Sequence, residues 1–168
     1  MNEPSRAMRA LLIEREIQRL LDDEHYALAI VVSQTMLELR VEQEIKNLAE
    51  GFQSDTFGEA TLEMFSSFNL NGRTRKFVER VLGIKFGDVL PSEMEALRFH
   101  NERRNRIVHA GAAASRDDAH ASFQAVRDIT WRLHQLVYRR IGWDLELEED
   151  EKIHREEEGI EPESEEEF

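Results

Sequence analysis

The stretch from Arg98 to His109 concentrates the groups of this chain best suited to handle a phosphate. Arg98, Arg103, Arg104 and Arg106 stand close together, with Glu102 the one acid between them. Guanidiniums this near repel one another unless an anion is shared, and each planar fork matches phosphate oxygens in a bidentate way. His109 follows at the expected end of the same helix. There it stands at the negative end of the helix dipole, and imidazole is the side chain suited to take up or give a proton near physiological pH. Arg104 and His109 together thus offer phosphate binding beside proton transfer. The residues alone equally describe a solvated basic face with His109 as a helix end-cap.

The helix that must position these groups is expected over 92–110. Pro91-Ser92 opens it, Ser92 with Glu95 forms a capping-box pattern, and Gly111 is the expected C-cap. One stripe runs Met94, Leu97, Asn101, Asn105 and Val108, and a second runs Ala96, Phe99, Arg103, Ile107 and Ala110. Asn101, Asn105 and His109, spaced by four, line one face. Polar groups turned toward a bundle cost about 1–3 kcal/mol each unless partnered, so they serve one another, a second chain or a ligand. Positions 104 and 109 are about 140° apart on a regular helix. Both reach one phosphate only if the last turn loosens, or if Arg104 of one chain works with His109 of another.

The rest of the chain reads as helices that could support this one. A helix over 5–22 gathers Ala10, Ile13, Ile17, Leu20 and Leu21 on one face. A longer one over 24–50 is apolar nearly all round from Tyr26 to Val32 and keeps Leu37, Val41, Ile45 and Leu48 in line, with Gly51 at its end. Two short helices fit 58–69 and 73–83, separated by the Asn71-Gly72 turn signal. Ser115 with Asp118 repeats the capping-box pattern before a closing helix over 116–141. That helix has the cleanest period in the chain: Phe123, Val126, Ile129, Leu133, Leu136, Val137 and Ile141. With only three prolines and no convincing strand, the expected class is all-α: an antiparallel bundle of four to six helices over 1–143, with Trp143 docking its end.

Charge divides the chain at the same point. Residues 144–168 carry 14 acidic side chains against Lys152 and Arg155, a net of −12, while the whole protein stands at −13. The body is therefore nearly neutral, and its contact with a polyanion is not opposed by the overall balance. The tail has the composition of a disordered or weakly helical segment. The absence of cysteine excludes disulfides, thiolate catalysis and Cys-ligated zinc. The histidines at 25, 100, 120, 134 and 154 show no metal-ligand spacing, and His100, one turn before Arg104, reads as an ordinary surface residue or as a further member of the site. The longest apolar run, Ala27 to Val32, is far short of the roughly 20 residues of a membrane span. A cytoplasmic protein without metal, cofactor or membrane attachment is expected.

The string Arg104-Asn105-Arg106-Ile107-Val108-His109 resembles the HEPN-family pattern, an Arg followed by four to six residues and a His, with a polar residue, often Asn, after the Arg. Its placement is similar too: near the end of the penultimate long helix, before a small-residue loop and a closing amphipathic helix. The early helix with its apolar start and Glu38 adds to the likeness, which covers about residues 5–141. The resemblance implies a metal-independent endoribonuclease, homodimeric, with two motifs facing one another across a cleft and a 2′-hydroxyl attacking the adjacent phosphodiester. His109 is then the general base or acid, Arg104 holds the phosphate, and Asn105 binds it or orients His109. Asn101, Arg103 and Arg106 are candidate RNA contacts, as is a separate basic cluster at Arg73, Arg75 and Lys76. Glu38 or Gln34 either reach the cleft or stay solvated or at the edge of the core. The resemblance also implies a toxin or defence setting and a neutralising partner protein. The alternative is a non-catalytic HEPN-like module that binds protein or RNA.

Overall fold

The computed structural model describes residues 6–52 and 61–142. The expected tail over 144–168, and the docking of Trp143, lie outside the described residues. Within them the chain forms six helices and no strand: α1 (Arg6–Asp22), α2 (Tyr26–Phe52), α3 (Gly72–Leu82), α4 (Phe86–Val89), α5 (Pro91–Ala110) and α6 (Arg116–Ile141). The all-α bundle expected from the periodicity is present.

Two helical hairpins make the frame. The turn at residues 23–25 joins α1 to α2, with Glu24 in the left-handed region at φ 61 and the His25 N–H returning to Leu20 O. The second hairpin joins α5 to α6, and ion pairs Arg103–Asp118 and Glu93–Arg132 ladder away from its loop. Between the hairpins, α2 and α6 lie side by side and parallel. Glu44 meets His134, and Gly51 meets Ile141, each 90 residues on. One core runs through the whole: Ile17 from α1, Ile30, Leu37 and Ile45 from α2, Val78 from α3, Phe86 from α4, Leu97 from α5, and Val126, Ile129 and Leu133 from α6.

Local chemistry explains most of the boundaries. Ser115 Oγ accepts from the Asp118 N–H at 3.1 Å and Asp118 Oδ2 accepts from the Ser115 N–H, the full reciprocal capping box. Gly111 closes α5 at φ 62, where a side chain would be strained.

Several expectations are corrected. Ser92 does not cap α5: Leu90 stands at the N-cap without a side-chain bond, and Ser92 Oγ donates to Glu93 Oε2 at 2.8 Å. Pro91 at the first helical position opens the helix instead, where its missing N–H costs nothing. Gly51 does not end α2. It is helical, and a Cβ there would stand 2.7 Å from Ile141 Cγ2, so its role is to let α6 approach. Of the helix expected over 58–69, Thr61 and Leu62 are helical, 58–60 lie outside the described residues, and 63–71 are turns, bends and irregular chain, with Thr74 Oγ1 donating to Ser67 O to fasten them to α3. Aromatic packing of Phe65 against Phe68 and Phe77 replaces helical periodicity in that segment.

Candidate functional site

The inward stripe of α5 is neither of the two expected from the sequence. Leu97 and His100 are buried, and Glu93, Arg104 and Ile107 are half-buried on the same side. Phe99 and Val108 are exposed at 42% and 46%, and the Arg98 guanidinium lies 4.4 Å above the Phe99 ring. Asn101 is half-buried, while Asn105, Arg106 and His109 face solvent. The polar face spaced by four is therefore an outer face, free to meet something outside the chain.

His100 is wholly buried, contrary to the surface role expected for it. Its Nε2 lies 3.2 Å from Gln34 Oε1 on α2. Gln34 gives its own amide hydrogen to Glu38 Oε1 at 2.9 Å, so its carbonyl oxygen accepts and His100 Nε2 carries the proton. Burial, and then the charges of Arg103 and Arg104, push the His100 pKa down to about 4. The ring is neutral at pH 7 and adds no positive charge beneath the motif. Gln34 thus belongs to the α2–α5 seam at His100, one helical turn before Arg104, and Glu38 holds the Gln34 amide in place. The signal for this seam was available: Leu97, His100, Arg104 and Ile107 recur at helical spacing.

The arginines divide into two kinds. Arg98 pairs with Glu102 at 2.8 Å. Arg103 Nε donates to Asp118 Oδ1 at 2.8 Å, and Ser115, then Arg103, hold the Asp118 carboxyl below the usual carboxylate range. Arg103 therefore braces the start of α6, which argues against a free role in binding RNA. Arg104 and Arg106, inside the motif, have no acidic partner among the described residues. Arg104 is half-buried, its Nη1 donates to Asn105 Oδ1 at 3.1 Å, and its Nε is buried without a partner. His109 is exposed and makes no hydrogen bond or ion pair among the described residues.

The geometry does not bring Arg104 and His109 together within one chain. The helix stays regular to Ala110, and its last turn does not loosen. Arg104 leans toward the core and His109 toward solvent, on sides of the helix about 140° apart. The second cluster is separate again. Arg73 and Lys76 are exposed on α3, and Arg75 is drawn to Glu79 at 3.7 Å. Among the described residues no group of three or more His, Asp or Glu could hold a metal ion, and no helix is long and apolar enough to cross a membrane. Known protein families, curated proteins and solved structures offer no match to this chain.

Proposed function

We propose that the protein is a metal-independent endoribonuclease of HEPN type, acting as a homodimer. The observation that carries this reading is Arg104: a half-buried guanidinium with no acidic partner among the described residues, bonded to Asn105, on a helix whose outer face presents Arg106 and His109. Shielding a guanidinium from water without an acid beside it costs desolvation energy that a bound anion would offset, and phosphate suits its fork. In this reading Arg104 and Asn105 bind the scissile phosphate and offset charge in the transition state, and His109 moves the proton. Because Arg104 and His109 of one helix diverge, each phosphate is served by Arg104 of one protomer and His109 of its partner across a twofold axis.

A second reading rests on that same divergence. A motif that never assembles a complete site is a non-catalytic module, in which Arg104, Asn105 and Arg106 bind RNA or an acidic protein surface. One experiment separates the two. The full chain is incubated with total RNA in EDTA, alone and as an equal mixture of Arg104→Ala and His109→Ala chains. Cleavage leaving 2′,3′-cyclic phosphate ends, lost in each single variant and partly restored in the mixture, supports the dimeric nuclease. RNA binding without cleavage, or a monomer by light scattering at micromolar concentration, favours the module. The toxin or defence setting and a neutralising partner protein remain part of the proposal, tested by whether expression arrests growth and which proteins copurify.

A further inference from the structure

Away from α5, a groove of about 970 Å³ runs along α3. Phe65, Phe77 and Ile84 supply its apolar lining, with Met64 (67% exposed) and Val89 (46%) at its edges. Its cations are Arg73, Lys76, Arg80 and Lys85, all exposed and none in an ion pair among the described residues. One of its two acids, Glu79, is already engaged: it accepts from the Phe86 N–H at 2.9 Å and draws Arg75. An apolar channel edged by four cations with no ion pair among the described residues calls for an occupant that is both acidic and apolar.

The end of α6 is tied to the helix that this groove follows. Arg140 Nε donates to Val81 O at 3.1 Å, and near neighbours of Val81 in the chain, Arg80 and Gly83, line the channel. The chain continues from there as Trp143-Asp144-Leu145-Glu146-Leu147-Glu148-Glu149-Asp150-Glu151. Leu145 and Leu147 alternate with acids, so an extended backbone sends the leucines to one side and the carboxylates of Asp144, Glu146 and Glu148 to the other. The eleven residues of α3 span about 16 Å, and extended chain covers about 3.3 Å per residue. Residues 144–151 are therefore long enough to run the channel. Tethering a few residues away gives them a high effective concentration.

We infer that the α3 groove is the docking site of the protein's own C-terminal segment, residues 144–151, with its leucines on the apolar lining and its acids against Arg73, Lys76, Arg80 and Lys85. The occupant is chosen by three observations: where the chain leaves α6, its charge, and the match in length. The inference does not depend on the nuclease reading, since α3 and the motif helix are distinct elements.

The test uses the full chain, which has no native cysteine. Lys152→Cys accepts a nitroxide next to the docking segment, and relaxation enhancement is read on the amide resonances of α3 and α5. The expected result is broadening several-fold stronger on Arg73–Ile84 than on α5, abolished when Arg73, Lys76, Arg80 and Lys85 are all changed to Glu. Those four side chains are exposed, so the remaining amide resonances of the reversed variant should keep their positions. The inference is overturned if α3 is no more broadened than α5, or if the charge reversal leaves the broadening in place. It is also overturned if broadening occurs only between labelled and unlabelled copies, which makes the occupant a second chain. An oligonucleotide shifting the α3 amides of a protein whose label leaves them sharp would assign the groove to RNA instead.

Discussion

His100 and Gln34, 66 residues apart in the chain, meet inside the bundle with Nε2 3.2 Å from Oε1, and that contact fixes the motif helix to α2. Its energetic signature is a dependence on pH. The folded pKa of His100, about 4, lies below the unfolded value near 6.5. Unfolding therefore takes up a proton between the two, so stability is full above about pH 6.5 and falls as pH drops toward 4, by up to about 3 kcal/mol. Carboxylates held low, such as Asp118, contribute to the loss only lower down, below about pH 4. Urea unfolding from pH 7.5 to 4.5 should show the slope in the native chain and a flatter profile in His100→Gln. Parallel profiles would remove His100 as its source.

Arg104 and His109 should separate activity from stability. His109 is exposed and has no partner among the described residues, so His109→Ala should change the unfolding free energy by about 0.5 kcal/mol or less. Under the proposed nuclease function, RNA cleavage should fall by about 100-fold or more, the scale of losing a general acid or base. Arg104→Lys keeps the charge but not the fork and should also cleave poorly. Leu133→Ala is the control from the other side: fully buried, it should cost about 2–5 kcal/mol and act only through unfolding. Thermal melts and cleavage assays on the same preparations check all three.

Arg103 should behave unlike its neighbour. Its bond to Asp118 spans the α5–α6 loop and backs the Ser115 cap, and both side chains are partly shielded. Arg103→Ala should destabilise the fold by about 0.5–1 kcal/mol. A double-mutant cycle with Asp118→Ala should give a coupling of similar size, read from denaturant midpoints. A coupling of zero would leave Arg103 as a surface cation.

Gly51 is expected to resist even the smallest enlargement. Alanine would gain up to about 1 kcal/mol of helix propensity, yet its Cβ would crowd Ile141 Cγ2. Overpacking of this kind costs about 1–3 kcal/mol. Gly51→Ala should therefore lower the melting temperature, and Ile141→Ala in the same chain should recover part of the loss. A rise in melting temperature for Gly51→Ala alone would mean that α6 shifts freely.

The parts of the fold visible in the sequence were those set by local pattern. The closing helix announced itself through Phe123, Val126, Ile129 and Leu133, and its start through Ser115 and Asp118, because period and cap are short-range properties. The turns at 63–71 were hidden because Phe65 and Phe68 sit at helical spacing, yet Phe65 packs edge-on against Phe77 of α3 and Phe68 packs on Phe65. Gly51 misled because a glycine near a helix end reads as a cap, while its true reason is Ile141, 90 residues away. The motif residues were legible by type, but their directions were not. Charged side chains blurred the inward stripe of α5, where a buried His100 and a half-buried Arg104 occupy positions normally filled by apolar groups.

The parallel pairing of α2 and α6 bears on how the chain reaches its native state. The α1–α2 and α5–α6 hairpins close over short turns and can form within a local stretch of chain. Joining Glu44 to His134 or Gly51 to Ile141 must first bring together segments separated by 90 residues, and that loop-closure entropy is met before any contact rewards it. Folding should accordingly show two early helical hairpins and a slower docking step along the α2–α6 seam. Ile45→Val or Leu133→Ala would then mainly speed unfolding and leave the refolding rate of the hairpins little changed.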